Sequence, residues 1–328
     1  MNAFASHCLD DSSWKFYLIG DERSPRDFYL EGCDFYDLAR QKDTGFRFAA
    51  GCPTGHYARK NLGYLLAIRD GCDLILETDD DNLPLPGFWD NRTRNCTCPR
   101  TSHAGWLNVY RYFSDSTIWP RGLPLDAIHS PIPDFHSMPE IGADCPIQQG
   151  LVDRNPDVDA IYRLVLPLPI QFAGGRRLAL GAGSWCPINS QNTAWWPAAY
   201  PLLYLPAFCS FRMTDIWRGF VAQRIAWENG WSILFHSPNA EQERNEHSLI
   251  RDFEQEVPGY LNNHKIVELL ERTNLRSGVD GILDNLVVCY EALVRGGFIG
   301  QAELLLLGAW CDDLRALAGN CGCPDSAT

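Results

Sequence analysis

Three consecutive carboxylates, Asp79, Asp80 and Asp81, close the segment LILETDDDN at positions 74–82. Adjacent like charges repel, and a cation or a basic side chain relieves the repulsion. Mn2+ and Mg2+ take oxygen ligands of this kind and carry phosphate esters with them. On an extended backbone Asp79 and Asp81 share one side and Asp80 the other. The outer pair is therefore the expected metal pair, with Asp80 turned away on the other side. A solvated acidic turn is the simpler alternative. His236 and His247 follow the last strand-like segment of the sheet, where either can complete the metal's coordination or be purely structural.

Other polar residues fit the same chemistry. Arg59, Lys60 and Asn61 lie where two cations and an amide can face a diphosphate, although a solvated basic turn of helix explains them equally well. Arg121, in the loop-like WPRG at 119–122, can grip a phosphate or carboxylate bidentately or lie free at the surface. Asn189, Gln191 and Asn192, in PINSQN, can hydrogen-bond sugar hydroxyls or form a turn. Asp215 falls in the first turn of a helical segment. It either complements the helix dipole or acts as the base that deprotonates an attacking hydroxyl.

The elements that position these groups alternate between strand and helix. Residues 14–20, WKFYLIG, read as a first strand followed by a polar turn, and 33–36 as a second, with 45–55 as loop. In 56–70 Tyr57, Leu62, Leu65, Leu66 and Ile68 recur at helical spacing, and Gly71 is placed to end the helix. The next strand starts at Asp73 and runs into the carboxylates. Strand, helix, strand with short connections predicts a parallel α/β unit, whose ligands sit beyond the carboxyl ends of the strands. The stretch 105–206 reads as long loops, PIQQG at 146–150 among them, with strands at 159–166 and 178–185. A second helix is predicted over 213–229, closed by Gly230, then a strand over 231–235. Three amphipathic helices follow at 260–273, 281–295 and 299–317, which places a boundary near Pro258. The expected organisation is a domain over 1–258 and a helical appendage over 259–328.

Composition narrows the classes. With 328 residues the chain can bury a proper core. A net charge of −13 opposes a nucleic-acid partner, since phosphate-backbone affinity needs clustered Lys and Arg. Thirteen cysteines, with only the Cys96/Cys98 and Cys321/Cys323 pairs close together, lack CxxC spacing and read as reduced thiols of a reducing compartment. No run approaches an integral membrane segment of about 20 apolar residues, so the expected setting is soluble and cytoplasmic. No GxGxxG follows the first strand, and neither GxxxxGK[ST] nor GxSxG occurs.

The runs RKNLGYLLAI, ETDDDN, WPRGLPL, QQGLVDRNPDVDAIYRL, NSQNTAWW, DIWRGFVAQR and QERNEH resemble, in this order, the STELLO (DUF288) family of glycosyltransferase-like proteins. The resemblance runs from about residue 14 to about 253. The segment after Pro258 lies outside it, with acceptor binding, partner binding and self-association into a homo-oligomer as its open roles. A fainter similarity is to the reversibly glycosylated polypeptides, the UDP-arabinopyranose mutases, in the DDD, the RGxP at 121–124 and the DxWxG at 215–219. Both relatives imply an α/β fold of GT-A type, a Rossmann-like mixed sheet whose nucleotide-binding half ends near residue 90 and is followed by an acceptor-binding half; the C-terminal helical segment is added to it by the helical periodicity alone.

By this resemblance Asp79 to Asp81 form the DxD cluster, which holds Mn2+ or Mg2+ against the diphosphate of a UDP- or GDP-linked sugar. Asp21 and Arg23, in GDERSP, contact the nucleotide. Asp215 is the acceptor-side base of an inverting displacement, and Arg121 a residue contacting the substrate. The chain is expected to depart from the plant members in lacking a transmembrane anchor. The implied activity is transfer of a hexosyl or pentosyl group to the hydroxyl of a glycan or small-molecule acceptor. The alternatives are a pyranose/furanose mutase of the sugar nucleotide, which needs no acceptor, and a non-catalytic scaffold for a glycan synthase.

Overall fold

A computed structural model of the chain describes residues 1–320 apart from 26, 244, 246 and 247. Helix α1 (Asn2–Asp10) leads into a parallel pair, β1 (Tyr17–Ile19) and β2 (Asp34–Tyr36). Two short helices follow, α2 (Leu38–Asp43) and α3 (Arg47–Gly51), then α4 (Lys60–Arg69), β3 (Ile75–Thr78) and β4 (Asn82–Pro84). The middle of the chain supplies β5 (Asn95–Thr101), β6 (Gly105–Trp106), β7 (Glu140–Asp144), β8 (Ile147–Asp153), α5 (Ala160–Val165), β9 (Arg177–Leu180), β10 (Ser184–Trp185) and β11 (Asn192–Trp195). Helix α6 (Thr214–Glu228), β12 (Ile233–Gln242), α7 (Leu249–Arg272), α8 (Ile282–Arg295) and α9 (Glu303–Asn320) complete it.

The expected α/β class holds with a mixed sheet, but the predicted parallel unit does not form: β3 pairs antiparallel with β11 and with neither β1 nor β2. The order of the sheet is β3, β11, β8, β12, β9, β5, β7, and β4 is joined to β12. Strand β12 runs parallel to β8 and antiparallel to β9, and its register shifts between His236 and Ala240, where Pro238 interrupts the ladder. Beyond that bulge its Ala240–Gln242 end pairs with β4. The aspartates therefore occupy a turn held on one side by β3 and on the other by β4.

Both predicted glycine stops are formed. Gly71, at φ +75°, lets the Gly71 and Cys72 amides bond back to Ile68 and Ala67. Gly230, at φ +69°, does the same for α6, with Trp231 bonding to Ala226. Helix α6 is buried from Thr214 through Ala226, as expected of a helix enclosed on all sides.

Several expectations change, among them the loop expected over 45–55, which contains helix α3. Residues 159–166 form helix α5, because the Asp159 carboxylate caps it by accepting the Tyr162 amide at 2.7 Å. The strand expected over 178–185 divides into β9 and β10 around Gly181 and Gly183, the latter at φ +87°. The PIQQG segment is buried strand β8 at the centre of the sheet rather than loop. Helix α7 runs unbroken through Pro258, so no boundary falls there. Proline removes one intrahelical bond, and the glycine beside it serves contact. A Cβ at Gly259 would stand 2.2 Å from Met213 Sδ.

The helices after that point are built into the body. Asp313 on α9 accepts the Arg47 and Phe48 amides at 2.9 Å each and so caps α3 from across the fold. Glu303, fully buried, accepts from the Tyr204 hydroxyl and from the Ala207 and Phe208 amides. Among the described residues no helix is long and apolar enough to cross a membrane. The described cysteines are free thiols, and Cys96 and Cys98 lie with sulfurs 3.7 Å apart.

Candidate functional site

A crevice of about 1600 Å³ opens beside the carboxyl end of β3. One wall is the loop after β1, with Asp21, Glu22 and Arg23. The others are the first turn of α4, the aspartate turn, and the start of α7. The crevice also reaches between β1 and β3, which are not hydrogen-bonded to each other.

At its mouth the charges are loosely compensated. Asp79 Oδ1 lies 3.4 Å from Lys60 Nζ and 3.4 Å from the Tyr57 hydroxyl, both long contacts. Burial raises the Asp79 carboxyl to about 6; Lys60 opposes the rise, and Asp81, Asp215 and Asp157 add to it. The side chain nevertheless keeps 31% of its accessibility. Asp81 accepts from Gln242 Nε2 at 2.8 Å and from the Asn245 side-chain amide at 3.5 Å. Asp80 is exposed on the crevice wall.

Behind the mouth the charges are tightly paired. Arg121 is clamped between two carboxylates: Asp157 takes its Nε and Nη2 at 2.8 Å each, and Asp215 takes Nη2 at 2.8 Å and Nη1 at 3.1 Å. Burial alone would raise the Asp215 carboxyl, but the charge and hydrogen bonds of Arg121, aided by Arg218 and Arg212, outweigh it and hold it at about 2. A carboxylate so engaged is a poor proton acceptor, so the role expected of Asp215 as base does not match its surroundings. Arg121 likewise spends its fork on protein carboxylates. Deeper still, Glu77 on β3 and Arg218 on α6 form a doubly bonded pair at 2.8 Å, to which Trp195 Nε1 donates at 2.8 Å and the Tyr64 hydroxyl also donates.

The remaining predicted residues divide. Asp21, Arg23, Lys60 and Gln191 line the crevice with the aspartates. Asp21 shapes it, accepting the Gly55 and His56 amides at 2.8 and 2.9 Å. Arg59 borders it, but its guanidinium holds Gln41 Oε1 and the Cys52 carbonyl, while Gln41 in turn binds the Gly20 carbonyl. Its work is to anchor the loop after β1. Asn61 exchanges both amide bonds with the Leu205 backbone at 2.9 Å. Asn189 accepts from Gln149 Nε2 and the Gln191 amide, and Asn192 donates to Asn239 Oδ1, so these three amides are structural and do not reach the crevice.

His236 sits on β12 with Nδ1 2.8 Å from the Ser237 carbonyl, away from the crevice lining, and burial pushes its imidazole down to about 4. His247 lies outside the described residues. Asp157, Tyr57 and Gln242 were missed. Asp157 stood inside a quoted run, but nothing in the sequence paired it with Arg121.

Among the described residues no group of three His, Cys, Asp or Glu is arranged to hold a metal. A magnesium-like ion with two protein carboxylates fills its other positions with water and phosphate oxygens. The under-compensated Asp79 and the accessible Asp81 fit such an ion better than one caged wholly by protein.

The model of the STELLO glycosyltransferases matches residues 212–321, from the turn before α6 through α9. The chain is related to the STELLO proteins. Probable glycosyltransferase STELLO1 of Arabidopsis thaliana is 27% identical over 325 residues, which is 93% of this chain and 41% of that protein. Probable glycosyltransferase STELLO2 of the same plant is 28% identical over 322 residues, 92% of this chain and 41% of that protein. The chain thus spans about two fifths of the length of these STELLO relatives. The helices after position 258, which lie outside the run of resembling motifs, fall within the family match.

Proposed function

We propose that this STELLO relative is a GT-A-type glycosyltransferase that takes its sugar from a nucleoside diphosphate donor, with a divalent cation at Asp79 and Asp81. The observation that carries the reading is the loosely paired carboxylate turn beside Lys60 at the mouth of a crevice large enough for a sugar nucleotide. When bound, the cation would stabilise the charge that develops on the departing diphosphate. Lys60 stands within reach of the same phosphates, 3.1 Å from the Ser190 carbonyl that holds its ammonium in place. Asp21 sets the turn carrying Gly55 and His56 against the donor side. Phe211, 42% exposed, and Arg251 border the opposite side, where an acceptor would enter. The pair Asp157 and Asp215, joined through Arg121, fixes the floor between them and keeps α6 in register with the Ser190 loop.

A thermal-shift series with UDP- and GDP-linked sugars, each with and without Mn2+, tests this. A ligand at about 100 times its Kd adds roughly 2.7 kcal/mol of stability, which raises Tm by several degrees in the presence of the ion. Asp81→Asn should abolish the ion-dependent part. The engagement of Asp215 by Arg121 favours one other reading, a scaffold that keeps the fold without turnover. A complete absence of shift across the donor series, with Asp81→Asn indistinguishable from the parent, would select it. Pyranose/furanose interconversion of a donor without any acceptor would instead select a mutase.

A further inference from the structure

We propose that a second binding site, for a small oxyanion carried on an apolar body, lies at the far end of the sheet around Arg100. Its cavity of about 360 Å³ is lined by Arg100, Thr101, Ser102 and Ser137 on the polar side and by Met138 and Ile141 among the apolar residues. It belongs to β5, five strand steps from β3, about 24 Å away at the usual strand spacing. It is therefore separate from the crevice.

Several of the chain's other buried and half-buried arginines are spent on carboxylates. Arg94 is bonded to Asp144, Arg121 to Asp157 and Asp215, Arg212 to Glu256, Arg218 to Glu77 and Arg224 to Glu228. Among the described residues the Arg100 guanidinium has no such partner, and its Nε is buried without a hydrogen bond. Glu140, whose backbone pairs with neighbouring Pro99, stays exposed and forms no ion pair with it. A buried donor left open costs about 1–3 kcal/mol; the ligand oxygens would instead meet the terminal nitrogens of the same guanidinium, on the side of Arg100 that lines the cavity.

The surroundings suit that ligand. An added Cβ at Gly181 would stand 2.5 Å from Ser102 Oγ and 3.0 Å from both Arg100 Nε and Nη2. The Ser102 hydroxyl and the Nε–Nη2 edge of Arg100 thus close over Gly181, which seats the guanidinium against the neighbouring strand. Ser137 donates its hydroxyl hydrogen to the Asp134 carbonyl and keeps its lone pairs. A guanidinium fork matches a carboxylate or a phosphate monoester, and Met138 and Ile141 would cover the apolar part.

Isothermal titration with phenyl phosphate and, separately, benzoate tests the site and distinguishes the two oxyanions. At least one should bind at a single site, and inorganic phosphate should bind at least tenfold more weakly than phenyl phosphate. Arg100→Met should weaken binding tenfold or more, and Gly181→Ala should weaken it by crowding the guanidinium. Arg100→Lys should retain part of it, and Lys60→Met, in the crevice, should leave it unchanged. Since Arg100 makes no ion pair, its replacement should leave the Tm near that of the parent. Absence of saturable binding by both probes up to 10 mM, binding indifferent to Arg100→Met, or loss in Lys60→Met would each overturn the proposal. None of these outcomes depends on the glycosyltransferase reading.

Discussion

Glu77 and Asp79 stand two residues apart at the end of β3 and live in opposite electrostatic worlds. Glu77 is 3% exposed and receives two bonds from Arg218, one from Trp195 and one from Tyr64. Asp79 is partly open and, among the described residues, its carboxylate has contacts of 3.4 Å to Lys60 and Tyr57. A fully buried charge must find its partners within the fold. A charge at the strand's end can leave bonding capacity for something outside it. The difference separates carboxylates that hold this protein together from carboxylates that the fold pairs only loosely.

Arg218→Met is the harshest test. It leaves Glu77 charged, buried and short of two bonds, and removing one partner of such a pair costs about 3–5 kcal/mol. A large fall in the urea midpoint is expected; a change under about 1 kcal/mol would mean that Glu77 is not the structural carboxylate described.

Arg121→Met should come next, at about 3 kcal/mol near neutral pH, because it strands Asp157 and Asp215 together. The Asp215 carboxyl is held at about 2 in the folded chain against an ordinary 3.8, so its contribution is present above about pH 4 and is lost as pH falls towards 2. Urea titrations at pH 7 and pH 3.5 should therefore show the deficit of the variant shrinking in acid. An unchanged deficit would break the assignment.

Glu303→Gln probes the same rule in the C-terminal helices. Gln keeps the shape but can offer the Ala207 and Phe208 amides only one carbonyl oxygen and brings an NH2 into a pocket of donors. A loss of about 1–3 kcal/mol by thermal or urea melting is expected. An intact midpoint would imply that α9 is an attachment after all.

The sequence was informative where local chemistry decides. The helix over 60–69, its glycine stop, the strand into the aspartates and α6 all follow from spacing and turn residues. It misled where long-range contacts decide. Asp159 converts a strand-like alternation into a capped helix. Pro258 and Gly259 look like a break but mark close packing on Met213. Asn61, Asn189 and Asn192 were expected to reach a ligand, yet they satisfy backbone and side-chain groups brought from far along the chain. For the same reason the partners of Arg121 could not be read from one sequence, since they lie 36 and 94 positions away.

Asp79→Asn should have the smallest effect on stability and the largest on binding, which is what divides it from Glu77. Burial raises the Asp79 carboxyl to about 6, so ionising it in the folded chain works against stability as pH climbs from about 4 through 6. Asparagine removes that cost together with the repulsion from Asp81, and gives up only the long contact with Lys60. At pH 7 the urea midpoint should stay level or rise, by no more than about 1 kcal/mol. Binding of a sugar nucleotide in Mn2+ should weaken by about tenfold or more, in line with the sensitivity of metal sites to their ligands. Parent and variant titrated with the same donor, once with Mn2+ and once with a chelator, separate the two effects. A variant that melts early while binding normally would place Asp79 with Glu77, among the carboxylates of the core.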